Sequence, residues 1–181
     1  MKMNKKGIKI AGTMALCFMV LAGYAAIAAD DTPRAKKNNG QEWMNVTLED
    51  VTTGEKFTIS DFNGKVVVLE TFAVWCPTCT KQQKEIKKLH GKAAGVISIT
   101  VDIDPNESAD KVRSHVERYG FDWPYAVAPP AFTKSLVEEF GTVVASAPSA
   151  PVIVISEDGS ARLLGRGVKS ADKLAAELKK R

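Results

Sequence analysis

The sequence is poor in side chains that crosslink a chain or bind metals. Its 181 residues include three cysteines and two histidines, and two of the cysteines, Cys76 and Cys79, lie beyond residue 29. Small secreted domains that depend on disulfides carry four or more cysteines, and a structural zinc site needs four ligands. No second CxxC pair exists, and neither His90 nor His115 has a partner at metal-ligand spacing. We therefore predict no metal site and expect both histidines on solvated helix faces.

A clustered basic surface is also missing. The formal net charge is +4, and four lysines within the first ten residues account for all of it. From Asp30 onward, basic and acidic side chains are equal in number. Because nucleic-acid binding needs a concentration of positive charge, we predict no nucleic-acid partner. The sequence has no extended heptad pattern either, so a monomer is the expected state.

Charged residues are absent from positions 10–29, directly after the basic N-terminus. Small residues at Ala26 and Ala28 suit signal-peptide cleavage, while an uncharged stretch of this length could also cross a bilayer. Residues 1–29 are therefore either a signal peptide or a membrane anchor. In both cases, the basic N-terminus places the rest of the chain outside the cytoplasmic membrane. Residues 30–42 are predicted as a linker and residues 43–181 as one domain.

Apolar runs and turn residues predict the order β-β-β-α-β-α-β-α-β-β-α. The first two strands flank a turn at residues 51–55 and form a hairpin. The apolar, β-branched run at 64–74 is a buried strand, and a helix follows it to His90. Helices that alternate with buried strands in this way cover both faces of a mixed sheet. The predicted fold is a three-layer α/β/α domain with an N-terminal hairpin.

The stretch TFAVWCPTCTKQQ (71–83) places a CxxC pair where this strand meets its helix. Free N–H groups of the first helical turn face Cys76, and the helix dipole there favours a thiolate. A thiolate attacks disulfides, whereas a thiol does not. Cys79 lies one turn further along, within reach of a mixed disulfide on Cys76, and Pro77 is compatible with the first turn. The pattern predicts thiol–disulfide exchange.

The segments VVVLETFAVWCPTC and SAPVIVISEDG, together with the element order, resemble the thioredoxin fold family. The N-terminal VTLEDVTTGEKFTISDFNGK resembles its exported TlpA/ResA-like branch, and the Pro-Thr dipeptide between the cysteines resembles the CcmG (DsbE) type of cytochrome c maturation. The resemblance implies a protein-disulfide oxidoreductase without a cofactor. Its implied partners are disulfide-bearing exported proteins, among them apocytochromes c, and a membrane electron donor that keeps the dithiol reduced.

The resemblance also implies roles for residues around the cysteines. Trp75 matches the tryptophan that packs over the active site of family members. Glu70 stands where thioredoxin has a buried acid on the same strand, and a carboxylate in an apolar strand becomes a possible proton acceptor for Cys79. Strand alternation alone leaves open that Glu70 points instead to solvent or to the sheet edge.

A proline in the cis conformation faces the cysteines in this family. Pro151 has the expected spacing to the following turn, and Pro148 is the competing position. The resemblance implies that Ala150 presents its backbone to the substrate chain. The predicted substrate-binding residues are thus Trp75, Pro77, Thr78, Ala150 and Pro151.

Three other functions share parts of this pattern. A disulfide-forming oxidase differs only in redox potential, which the sequence does not settle. A peroxiredoxin-type peroxidase has a threonine three residues before its reactive cysteine, where this chain has Ala73 before Cys76. A copper carrier of the Sco type has three residues between its cysteines, where this chain has two, and a histidine on a loop, which the sequence does not predict here.

Overall fold

A mixed β-sheet forms the centre of the fold in the computed structural model, which describes residues 41–180. Its strands are β3 (Val67–Phe72), β4 (Ile97–Asp102), β5 (Tyr125–Val127), β6 (Val152–Ile155) and β7 (Ala161–Leu163), preceded in the chain by β1 (Leu48–Glu49) and β2 (Lys56–Phe57). The spatial order is β5-β4-β3-β6-β7. β3 lies at the centre, parallel to β4 and antiparallel to β6. All six residues of β3 are buried, as the apolar, β-branched run predicted, and they include the polar Glu70 and Thr71.

Four helices cover the two faces of this sheet: α1 (Pro77–His90), α2 (Ala109–Tyr119), α3 (Pro130–Phe140) and α4 (Ala171–Leu178). Side chains of α1, α2 and α4 pack with Val68 and Phe72 in one apolar core. On the other face, α3 packs with Leu69 and Ile99, and Trp43 from the N-terminal turn joins this second core. The arrangement confirms the predicted three-layer α/β/α fold.

The N-terminal hairpin is present as predicted, although its strands are short. β1 and β2 pair antiparallel, with Leu48 opposite Phe57. The turn between them is joined to the edge of the main sheet, because the Val51 amide donates to the Tyr125 carbonyl at 2.8 Å. Side chains of Leu48 and Phe57 belong to the core that α3 covers. The hairpin thus extends the hydrophobic core of the domain.

The predicted signal peptide or anchor lies outside the described residues. Within residues 41–180, no helix combines the length and the apolar character that a bilayer crossing requires.

The prediction that both histidines lie on solvated helix faces is wrong. His115 is buried on the face of α2 that also carries Val112 and Val116, and its Nε2 is 2.7 Å from Gln83 Oε1. His90 is half-buried, with Nε2 2.8 Å from Ser98 Oγ. Neighbouring elements provide these two polar partners, so the helix sequence alone did not reveal them.

Acid should destabilise the protein through His115. Burial, assisted by the positive charge of Arg118, lowers the pKa of His115 from 6.5 to about 4. The unfolded chain therefore binds a proton first, and stability is lost as the pH falls from about 6.5 towards 4, by up to roughly 3 kcal/mol. Urea unfolding across this range should show a smaller decline for His115→Phe than for the wild type. Parallel pH profiles for the two proteins would contradict this assignment.

Candidate active site

The two cysteines lie at the N-terminus of α1, directly after the central strand. Cys76 is the N-cap of this helix, and its Sγ accepts a hydrogen bond from the Cys79 amide at 3.1 Å. Both are free thiols, and both side chains are buried. A sulfur that accepts a hydrogen bond from an amide at a helix N-terminus is stabilised most when it carries negative charge. The geometry therefore suits Cys76 as the nucleophile and agrees with the predicted position of the pair.

Cys79 is held as a thiol. Its Sγ donates to the Ala147 carbonyl at 3.0 Å. Burial raises the pKa of Cys79 far above its usual value, the hydrogen bond to Cys76 adds to the rise, and the nearby charge of Glu70 raises it further. To act as a nucleophile, this thiol must first lose its proton.

Glu70 is the acidic group beside the dithiol. It lies in the middle of β3, on the face shared with Val68 and Phe72, and it is completely buried. The Thr100 hydroxyl donates to its Oε2 at 3.5 Å, and its Oε1 has no hydrogen-bond partner among residues 41–180. Burial raises the pKa of Glu70 well above 4.5. The buried alternative is therefore correct, and the solvent-facing alternative is wrong.

Several buried polar side chains surround the Glu70 carboxyl. Gln83 lies close enough to lower its pKa, although Gln83 Nε2 makes no hydrogen bond within the described part of the chain. Thr100, which donates to Glu70, itself accepts from Trp123 Nε1 at 2.9 Å. The Tyr125 hydroxyl is also buried, and the charge of Glu70 contributes, after burial, to raising its pKa. These polar groups surround the Glu70 carboxyl inside an otherwise apolar core.

Lys169, a lysine that the sequence analysis did not select, is also buried, and its charge lowers the pKa of Glu70. Lys169 is only 1% exposed, and its Nζ donates to the Ala150 carbonyl. Burial lowers the pKa of Lys169 to about 8, while the charge of Glu70 acts in the opposite direction. In the sequence, Lys169 stands in a polar stretch near the C-terminus, where a lysine normally indicates a solvated surface.

Acidic residues border the loop that leads to Cys76. Trp75 is 58% exposed, and its Nε1 donates to Asp104 Oδ2 at 2.7 Å. The Val74 amide donates to Glu107 Oε2 at 2.6 Å. Burial raises the pKa of Asp102 to about 8, and the charge of Glu107 adds to this effect. The indole of Trp75 is thus held at the surface beside the dithiol, and the sequence analysis had missed these acidic partners.

The predicted cis-proline is wrong. Within residues 41–180 every peptide bond is trans, including those before Pro148 and Pro151. The chain turns into β6 through Ala150, whose φ of 46° lies in the left-handed region. With these backbone angles at Ala150, the chain enters β6 although the peptide bond before Pro151 is trans.

The segment beside Cys79 also differs from the expected one. Ala150 and Pro151 are both buried, and the two polar backbone groups of Ala150 bond within the protein, the N–H to Ala147 and the carbonyl to Lys169. Ala150 is thus not free to present its backbone to a substrate. Pro148 is exposed and follows Ala147, the residue whose carbonyl accepts from Cys79.

These groups can carry out a two-step exchange. Thiolate Cys76 attacks a disulfide of a partner, and the partner's first sulfur leaves. Cys79, once it has lost its proton, then attacks Cys76, which releases the second sulfur and leaves a Cys76–Cys79 disulfide. The resemblance implies that Glu70 accepts this proton. Pro77 is exposed and Thr78 half-buried, and in the chain both lie close to the exposed Trp75.

Comparison with known proteins agrees with this geometry. The sequence pattern of the Redoxin family matches residues 38–178. The thiol-disulfide oxidoreductase ResA of Bacillus thuringiensis is 26% identical over 182 residues, which cover 99% of this chain and 98% of that protein. ResA of Bacillus subtilis is 30% identical over 123 residues, or 67% of each chain. A secreted Mycobacterium tuberculosis disulfide oxidoreductase homologous to E. coli DsbE shares the fold, with a TM-score of 0.59 and 16% identity over 76% of this chain and 97% of that one.

Proposed function

Since the chain belongs to the Redoxin family, as a thiol-disulfide oxidoreductase of the TlpA/ResA/CcmG type with a thioredoxin-like fold, we propose that it works as a reductant. Its dithiol, Cys76 and Cys79, reduces disulfides in proteins outside the cytoplasmic membrane. The protein acts as a monomer, and a thiol-relay donor in the membrane returns it to the reduced state. Apocytochromes of the c type are the proposed substrates, in line with the Pro-Thr dipeptide between the cysteines.

The environment of the dithiol supports the reducing direction. Strong oxidants of this fold owe their potential to a stabilised reduced form, in which the thiolate is held by several favourable contacts. Here Cys76 Sγ accepts one backbone hydrogen bond within residues 41–180, from the Cys79 amide. Glu70 adds a buried acid beside Cys79, and this acid disfavours a thiolate at that position. Both features leave the reduced form weakly stabilised, which favours electron donation.

The proposed location rests on the N-terminal sequence. Residues 10–29 contain no charged side chain and follow a basic N-terminus, the pattern of a signal peptide or an N-terminal anchor. Either form would place the dithiol in an oxidising compartment. A reductant in such a compartment needs a continuous supply of electrons from the membrane, and this requirement is the reason for including the donor in the proposal.

The reduction potential of the Cys76–Cys79 pair tests the direction. We expect equilibration of the full-length protein with glutathione or dithiothreitol to give a value near that of thioredoxin, roughly −270 mV. A value near −120 mV, typical of a strong oxidant, would overturn the reductant proposal and favour a disulfide-forming oxidase. The Cys76→Ser protein is the control, because it has no pair to oxidise.

A further inference from the structure

A polar cavity lies on the protein surface between α2 and the loop that leads to Cys76, and the exchange steps described above do not use it. Its volume is about 240 Å³, and it is lined by Val74, Lys111, Ser114, His115, Arg118 and Tyr119. The residues from α2 recur every three or four positions and so share one face of the helix. Val74 stands two residues before Cys76, a separation of at most roughly 7 Å. This α2 cavity therefore lies close to the nucleophile.

Positive charge dominates the lining of the α2 cavity. Lys111 and Arg118 are both exposed, and within residues 41–180 neither forms an ion pair. Lys111 Nζ donates to the Asn106 carbonyl at 3.3 Å, which is a neutral acceptor. Lys84 Nζ of α1 lies 5.2 Å from the centroid of the Tyr119 ring and adds a third positive charge nearby. The lining itself contains no carboxylate.

The carboxylates of the neighbouring loop are already bonded to other groups. Glu107 Oε2 accepts from the Val74 amide at 2.6 Å, and Asp104 Oδ2 accepts from Trp75 Nε1 at 2.7 Å. Neither carboxylate lines the α2 cavity. The cations of the cavity are therefore free to meet an anion that comes from another molecule.

A buried histidine forms part of the wall of the α2 cavity. His115 is 5% exposed, and its Nε2 lies 2.7 Å from Gln83 Oε1, so the ring is fixed between α1 and α2. Burial lowers the pKa of His115, and the positive charge of Arg118 lowers it further. The Arg118 charge thus reaches the wall of the cavity. Ser114 and Tyr119 add hydroxyl groups that can donate hydrogen bonds.

We propose that the α2 cavity binds a carboxylate side chain of the partner protein, carried about two to four residues from the cysteine that meets Cys76. An arginine without an ion pair offers a planar pair of donors that matches a carboxylate, and a lysine beside it adds a point charge. The inference rests on the proposed function and deepens it, because it names a feature of the substrate. The bonds made and broken stay those of the exchange described above.

Paired disulfide peptides test this recognition. Each peptide has one intramolecular disulfide and a single glutamate, or a glutamine in its place, at successive positions near the first cysteine. The reaction of the reduced full-length protein, followed by its tryptophan fluorescence, gives the second-order rate. At the best position, we expect the glutamate peptide to react about fivefold faster, as a partly exposed charge pair allows. The difference should disappear in about 0.5 M salt, because dissolved ions screen such pairs.

Matched variants assign the preference to the α2 cavity. In the double variant Lys111→Gln/Arg118→Gln, the glutamate and glutamine peptides should react at equal rates, because the two cations are gone. Lys134→Gln removes an exposed lysine from α3, on the opposite face of the sheet, and should keep the full preference. The proposal is overturned if the wild type shows no preference at any position, or if the preference survives in the double variant.

A binding measurement that needs no exchange separates this inference from the proposed function. In full-length Cys76→Ser, we expect the glutamate peptide to shift the NMR signals of the Val74, Ser114 and His115 amides, and the glutamine peptide to leave them in place. If vesicles containing phosphatidylglycerol shift these signals and the glutamate peptide does not, the cavity faces a membrane and the proposal is overturned. A reduction potential near the oxidant value would refute the proposed direction without changing this test.

Discussion

Replacing Cys79 by serine should trap the protein in a mixed disulfide with its substrate. Cys76 can still attack, but no second sulfur is present to release the partner. Multiple turnover should fall by about 10³-fold or more, as is typical when a reacting group is removed. The serine hydroxyl can donate to the Ala147 carbonyl in place of the thiol, so the fold should persist. Non-reducing electrophoresis and mass spectrometry of the protein, mixed with a disulfide-bearing substrate, would detect the adduct.

Cys76→Ser is the matched control for this experiment. Serine is a favoured helix N-cap and can accept the Cys79 amide hydrogen bond as the sulfur does. This variant should fold, show no turnover and form no adduct, because the buried Cys79 is held as a thiol. If the Cys76→Ser protein formed the adduct and the Cys79→Ser protein did not, the roles of the two cysteines would be reversed.

Replacing Glu70 by glutamine should slow release of the partner without preventing the first attack. Glutamine has nearly the same shape as glutamate but cannot accept the proton of Cys79. General-base assistance typically contributes 10²- to 10⁴-fold, so the second exchange step should slow by about that factor at neutral pH. Stopped-flow measurement of the two product releases gives both rates. Glu49→Gln, an exposed change on β1, is the matched control and should leave both rates unaltered.

The same substitution should change how stability depends on pH. Burial raises the pKa of Glu70 in the folded protein, so the folded state holds this proton more tightly than the unfolded state. The resulting stability is present below about pH 4.5 and is lost as the pH rises through the folded-state pKa. Urea unfolding should show a decline above pH 4.5 for the wild type and a smaller one for Glu70→Gln. If the free energy of unfolding fell equally with pH in both proteins, ionisation of Glu70 would not destabilise the folded state, which would contradict its burial.

Local sequence patterns predicted the fold and the position of the cysteine pair. The alternation of apolar strands and helices indicated the three-layer fold, because each element had to bury a face on a neighbour. The CxxC pair after a buried strand placed Cys76 at a helix N-terminus, since the backbone conformation there depends on residues close in the chain. Glu70 was selected through the resemblance to the thioredoxin fold family, which has a buried acid at this position, and the structure decided its orientation.

Contacts between distant segments depended on the tertiary structure. The antiparallel pairing of β3 with β6 brings the segment before Val152 to the dithiol. In this segment Ala150, in the left-handed conformation, is buried and Pro148 is exposed. His115 was expected in solvent, yet Gln83 of α1 supplies its buried partner. Lys169 looked like a surface lysine, yet its amide donates to Gln82 Oε1 of α1 and its Nζ donates to the Ala150 carbonyl, and the side chain is buried. Burial and charge pairing of these side chains depend on which elements the folded sheet brings together, and the sequence around each residue does not contain that information.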